Sequence, residues 1–207
     1  MEDVLDLYAE EVMADYPVVC FDESPYQLRA DGRPGEPPAP GRPARQDYEY
    51  ERTGTCNLFM LFHPGGSWRH VAVTERRTKQ DFAHQMRDLV DVHFPQATLI
   101  SVVLDNLNTH SPASLYATFA PAEAKRILNK LDFRFTPKHG SWLNMAELEF
   151  AALQGQCLDR RLDSQAAVER EIAAWEAERN RCKTTVTWRF TTADARTKLA
   201  RLYPSLS

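Results

Sequence analysis

Two aspartates close apolar runs of the kind that buried strands are made of. Residues 16–23 read YPVVCFDE and end on Asp22 and Glu23, and residues 98–105 read TLISVVLD and end on Asp105. Runs rich in β-branched and aromatic residues suit central strands that deliver polar groups at their exits. The two aspartates are 83 residues apart (105 minus 22), and Glu147 follows the second by 42 (147 minus 105), inside a segment, 144–157, patterned as a helix. Carboxylates converging from separate segments suit two-metal phosphodiester chemistry, because hard divalent ions prefer oxygen ligands and the two ions must flank the reacting phosphate. An acid at a strand end is also a common cap or surface charge. The pair at two buried strand ends therefore carries more weight than either alone.

Each candidate has a rival beside it. Glu23 adjoins Asp22, but neighbours in a strand point to opposite faces, so only one of them enters a shared site. Glu147 and Glu149 differ by about 200° around a helix and cannot both face the same ions. Spacing alone does not choose between them.

The elements that must hold these groups follow from patterning. Residues 31–45, DGRPGEPPAPGRPAR, are too dense in Pro and Gly for regular structure and form a basic loop, read as a solvated linker ahead of a DNA-contacting arm. Residues 55–63 and 68–75 read as two strands joined by the Pro64-Gly65-Gly66 turn, giving an antiparallel meander that starts with the Asp22 strand. Residues 78–94 place Phe82, Met86, Leu89, Val90 and Phe94 on a helical stripe that ends before Pro95. Short helices are expected over 114–119 and 121–131, and a short strand over 133–137. A long amphipathic helix is expected over 164–181, with Ala167, Val168, Ile172 and Trp175 on its apolar side. An extended stretch and a final short helix complete the tail, 184–206. The whole reads as one domain over 1–207 with a C-terminal helical arm, 164–207.

Composition narrows the setting. The acidic N-terminus is unlike a signal peptide and the apolar runs are too short to span a bilayer, so a soluble, cytoplasmic protein with no membrane partner is expected. Cys20, Cys56, Cys157 and Cys182 are scattered, without a C-x-x-C pair or a His at ligand spacing, and are expected to be buried free thiols. A net charge of -4 argues against coating nucleic acid by bulk electrostatics and leaves room for local basic patches.

The segments VVCFDESPYQL (18–28), VVLDNLNTHSP (102–112) and PKHGSWLNMAELEF (137–150) resemble the three acidic blocks of the DDE transposases of the mariner-like superfamily, in its bacterial insertion-sequence branch. In that superfamily the second aspartate is followed by Asn and then His, matched by Asp105, Asn106 and His110. The final glutamate lies three residues past an Asn, matched by Asn144 and Glu147, which makes Glu149 a bystander. The likeness continues through the Pro-rich loop and the ending TWRFTTADARTKLARLYP. It implies an α/β, ribonuclease H-like mixed sheet flanked by helices. The last spacing is longer than in eukaryotic mariner relatives, and residues 121–131 account for the extra length.

The resemblance further implies that Asp22, Asp105 and Glu147 are the catalytic residues and bind two Mg²⁺ ions, with Mn²⁺ as a substitute. Asp22 and Asp105 would share one ion and Glu147 would complete the second site. Asn106, His110, His139 and Asn144 are candidates for backing the metal ligands or touching DNA; for His110 and His139 a plain hydrogen bond to backbone is the alternative. Trp142 reads as core or as a platform beneath its loop, and Lys138 as a solvated lysine. The implied function is excision of an insertion sequence at its inverted-repeat ends and joining of the freed 3′ ends at a TA target, by a homodimer in a paired synaptic complex associated with the bacterial nucleoid. The alternatives are a ribonuclease H-like nuclease that does not transpose and an inactive or truncated remnant. Relatives carry N-terminal helix-turn-helix modules, and the expectation here is that none precedes the first strand, which leaves a separately encoded half that supplies end recognition, or a truncated or decayed copy, as the alternatives.

Overall fold

The apolar run that carries Asp22 goes on much further than its composition suggests. In the computed structural model, which describes residues 1–33, 39–42, 48–138 and 140–203, strand β1 covers Val18–Asp31. It pairs antiparallel along β2 (Tyr50–His63), from Cys20 opposite Phe62 to Asp31 opposite Tyr50. Strand β3 (Trp68–Thr74) folds back on β2 across the 64–67 turn, completing the expected meander. On the other side of β1 lie β4 (Ile100–Leu104) and β5 (Leu131–Phe135), both parallel, in the order β3-β2-β1-β4-β5. β4 accompanies β1 only from Val18 to Cys20. Beyond that point no strand among the described residues pairs with this edge of β1, the setting in which a strand tolerates a proline such as Pro25.

Strand alternation feeds two cores. Cys20, Leu58, Met60, Phe62 and Val103 face helices α1 (Glu2–Ala9), α5 (Ala146–Leu153), α6 (Gln165–Arg181) and α7 (Thr192–Lys198). Val19, Phe21, Phe59, Leu61, Val102 and Leu104 face α2 (Lys79–Asp88), α3 (Pro112–Thr118) and α4 (Pro121–Leu128). Covered on both sides, β2 becomes the unbroken apolar run that a central strand needs. Helix α2 starts at a reciprocal cap between Thr78 and Asp81 and runs on as a wider π turn over Leu89–His93. Helix α6 starts at Ser164, whose hydroxyl accepts from the Ala167 N–H, and buries the four residues its periodicity singled out.

Helix α1 has no counterpart in the expectations. Eight residues are too few for a stable isolated helix, so its helicity comes from docking. Val4, Leu5 and Leu7 are buried, at roughly 1.5–3 kcal/mol for each fully buried aliphatic side chain, and the Tyr8 hydroxyl donates to the Leu143 carbonyl at 2.8 Å. Several boundaries also move. The strand expected over 133–137 is β5, shifted toward the N-terminus; the helix over 121–131 stops at Leu128; and the helix over 144–157 begins only at Ala146. Cys20, Cys56 and Cys157 are buried thiols, whereas Cys182 is exposed. Of the Pro-rich stretch, Asp31 closes β1 and Ala39 and Arg42 form a short bridge; residues 34–38 and 43–47 lie outside the described residues. Among the described residues no helix is long and apolar enough to cross a membrane.

Candidate active site

Register brings the two aspartates together. Val18 lies beside Ser101 and Cys20 beside Val103, an offset of 83 residues (101 minus 18). Asp22 and Asp105 differ by the same 83, so each stands two residues past the last pair, at one level of two adjacent strands. Asp22 is therefore not at the end of its own strand, as expected, but where its neighbour β4 gives out. Glu147 approaches from the Cys20 side, exposed in the first turn of α5.

The electrostatics register this convergence. Burial pushes the Asp22 carboxyl up to about 6, and the charges of Asp105 and Glu147 push the same way, against a hydrogen bond from the Glu23 N–H to Oδ1 at 2.8 Å. Asp105 goes the other way. Burial alone would raise it, but the His110 ring at 2.6 Å and the Leu107 N–H at 3.3 Å, both on Oδ1, hold it below the usual carboxylate range. Burial would likewise depress His110, yet its contacts with Asp105 and Glu23 prevail and raise it to about 9, so the imidazole is protonated at neutral pH. His110 thus lies against Asp105, the position of a residue that backs a metal ligand, and not on a backbone carbonyl.

Two asparagines fix the frame. Asn106 donates to the Thr136 carbonyl at 2.7 Å, tying the turn after Asp105 to the end of β5. Asn144 is buried, donates to the Phe21 carbonyl at 2.8 Å and accepts from the Ala146 N–H at 3.2 Å, so one side chain joins the Asp22 strand to the start of the Glu147 helix. Asn144→Ala is expected to cost about 1–3 kcal/mol, because it strands a buried carbonyl and a buried N–H. Urea unfolding measures this, and a midpoint equal to wild type would refute the tie.

Glu149 is no bystander to the fold. It is buried between Arg69 and Arg179, at 3.4 and 2.9 Å, and so turns α5 with Glu147 facing out. Glu23 leaves β1 on the face opposite Asp22, as alternation requires, yet it meets the site from behind: its Oε2 lies 3.6 Å from His110 Nε2. Neither role was foreseen, although the helical angle between Glu147 and Glu149 implied that one would turn inward. Trp142 is not core; it is 41% exposed and stacks on Trp188 with ring centroids 6.3 Å apart. Lys138 is exposed, as expected for a solvated lysine, and His139 lies outside the described residues.

The donor set fits divalent metal. Three carboxylates supply the hard oxygens that Mg²⁺ and Mn²⁺ prefer. Oδ1 of both aspartates is engaged by protein N–H groups, and no described residue hydrogen-bonds either Oδ2. Asp22 is raised by burial first and by its carboxylate neighbours second, and a cation would stabilise its charged form. Among the described residues no three His, Cys, Asp or Glu side chains are gathered closely enough to hold an ion as they stand. A cavity of about 450 Å³ lies away from them, at the opposite ends of β1 and β4 by Tyr16, Val18 and Ser101. Of the three carboxylates, Glu147 is exposed and the two aspartates are half-buried.

The family model described as DDE superfamily endonuclease matches residues 17–169, which takes in all three carboxylates. A comparison with the curated proteins gives no match. Among solved structures, the chain is similar to the Mos1 transposase paired-end complex with left transposon end (TM-score 0.57, 17% identity, covering 88% of this chain and 55% of that one). It is also similar to the Mos1 mariner paired end complex with Mn (TM-score 0.55, 18% identity, covering 88% and 55%), and to the Mos1 strand transfer complex (TM-score 0.54, 17% identity, covering 85% and 51%). The chain spans about half the length of each. At these identities the likeness is one of fold, and with the mixed five-stranded sheet it shows the ribonuclease H-like architecture expected.

Proposed function

We propose, from the premise that this chain belongs to the DDE superfamily endonuclease family, that it is the catalytic domain of a cut-and-paste DNA transposase. The observation that carries the reading is the shared 83-residue offset, which sets Asp22 and Asp105 side by side with Glu147 facing them from α5.

Asp22, Asp105 and Glu147 would hold two Mg²⁺ ions, or Mn²⁺, which when bound activate a water or a DNA 3′-hydroxyl and stabilise the leaving oxygen. The chain's own residues do the positioning. Asp22 and Asp105 each keep one oxygen on a protein N–H and offer the other. His110 keeps its Nδ1 proton on Asp105, so that carboxylate remains ionised and oriented. Asn144 ties β1 to the start of α5, and the Glu149 ion pairs tie α5 to β3 and α6. The exposed Lys138, two residues past the Thr136 carbonyl that Asn106 holds, offers a positive charge to a duplex backbone.

To the same reading belong cleavage at inverted-repeat ends, joining at a TA target, a homodimer holding paired ends, end recognition by a separately encoded half, and action at the bacterial nucleoid in the cytoplasm. The Mos1 complexes with a transposon end and with Mn support the DNA and metal assignments by likeness of fold.

A supercoiled plasmid carrying the element's inverted repeats tests it. Incubation with Mg²⁺ or Mn²⁺ is expected to give nicked and linear products, abolished by EDTA. Addition of the upstream reading frame's product is expected to confine cuts to the repeats and to yield joined products. Cutting without joining under both conditions would leave a nuclease only, and no metal-dependent cutting would leave a remnant.

A further inference from the structure

We propose that Glu23 is a positioning residue for the metal site: through His110, it sets which oxygen of Asp105 is presented to a divalent cation. The inference rests on the metal-site reading above and adds to it a residue outside the three carboxylates.

Glu23 is an unusual group to find buried. Its side chain is only 4% exposed, and its one cationic neighbour from solvent, Arg77, reaches Oε1 at a marginal 3.5 Å. Burying a carboxylate is costly unless it is paired. The other oxygen, Oε2, has no hydrogen-bond partner and lies 3.6 Å from His110 Nε2, itself buried and without one. The His110 ring is wedged between Phe21 and Phe82, with centroids 5.1 and 5.0 Å away, so packing sets its plane. Its other nitrogen, Nδ1, lies 2.6 Å from Asp105 Oδ1.

A carboxylate, an imidazole and a second carboxylate thus run in line from the Phe21 face of the sheet, past the end of β4, to the metal-facing side. A buried carboxylate behind a metal-bound histidine fixes that ring's orientation and raises affinity. Here the order is changed, and the histidine stands between the backing carboxylate and the liganding one. With Oδ1 of Asp105 engaged by His110 and the Leu107 N–H, Oδ2 is the oxygen left to face a cation. Loss of the Glu23 carboxylate removes the counter-charge 3.6 Å from Nε2, loosens the ring and frees Asp105 to turn.

The test is Mn²⁺ affinity of the full chain, read from the electron paramagnetic resonance of the free ion, for wild type, Glu23→Gln, His110→Leu, the double variant and Asp105→Ala. Glu23→Gln is expected to bind Mn²⁺ roughly 10–100-fold more weakly, with a circular dichroism spectrum and metal-free melting curve close to wild type. In the His110→Leu background the same substitution is expected to change affinity by less than about twofold, because the path through the ring is already broken. If His110→Leu does not fold, His110→Gln takes its place.

Wild-type affinity in a folded Glu23→Gln protein would overturn the proposal. So would an undiminished loss in the His110→Leu background, since Glu23 would then act through space as a plain charge. A wild-type chain that binds no Mn²⁺, or an Asp105→Ala variant that binds as well as wild type, would instead remove the metal-site reading, and the proposal with it.

Discussion

Asp22→Asn is expected to abolish DNA cleavage and, in the absence of metal, to make the protein more stable. Cleavage should fall by a factor on the order of 10³ or more, since the amide is a poor ligand where charge must be neutralised. The stability effect follows from the raised carboxyl. Folded, Asp22 titrates near 6; its ordinary value is 3.8. Between those values the folded state holds the proton that the unfolded state has released, so stability falls as pH rises through that window and stays low above it. Two pKa units correspond to about 3 kcal/mol at most, and solvent reaching a partly exposed site brings this nearer 1–2 kcal/mol. Thermal melts in EDTA at pH 5 and pH 8 measure it: wild type should lose more stability than the variant between the two. Mn²⁺ should then raise the wild-type melting temperature and leave the variant's unchanged. A variant that melts below wild type at pH 8 in EDTA, or that still cuts, contradicts this account.

The second large effect belongs to Glu149. Arg69 is fully buried on β3, with Glu149 at 3.4 Å, Asn180 Oδ1 at 3.0 Å, the Thr184 carbonyl on its other nitrogen and the Phe62 ring beneath. Arg179 closes the triad from α6 at 2.9 Å. Glu149→Gln leaves a buried guanidinium without its counter-ion, which typically costs about 3–5 kcal/mol. The double replacement Arg69→Met with Glu149→Leu should recover most of that loss, because an apolar pair avoids the desolvation of two charges. Guanidinium chloride unfolding of the two variants decides between a stabilising triad and a dispensable one. Near-wild-type stability in Glu149→Gln would show that the buried charge is neutralised some other way.

These two carboxylates, one on β1 and one on α5, were unequally legible from residues alone. The Asp22 and Asp105 runs announce themselves because both are apolar on two faces, and the stripe of α6 emerges intact because Ala167, Val168, Ile172 and Trp175 recur at helical spacing. The meander was legible for the same reason, from alternation and the turn at Pro64. Helix α1 was not, since its few apolar residues acquire meaning only against Leu143 and Cys20, partners that are distant in sequence. The length of β1 was hidden by Pro25, which argues against a strand until one knows that β4 has already ended there. Of the site, the three carboxylates were readable but their supports were only partly so. Asn144 and His110 could be placed near the acids from the motif alone; the contact from Glu23 to His110 and the burial of Glu149 depend on which face each side chain leaves, and on what waits there.

The coincidence of the two 83s bears on how this catalytic centre could be altered by insertion and deletion. Length added to the turn at 64–67, or to the segment leading from α2 into β4, changes the count between Asp22 and Asp105 but leaves their pairing intact, and loops absorb such additions cheaply. One residue lost between Val18 and Asp22 is a different event: it slides the carboxylate about 3.3 Å along the sheet and sends it through to the opposite face. The same holds between Ile100 and Asp105. Helix α4, by contrast, packs on the face away from Glu147, so the extra length there is mechanically silent. Tolerance of length change in this chain should therefore follow strand pairing, falling to nothing within the paired strands and remaining high in the loops that join them.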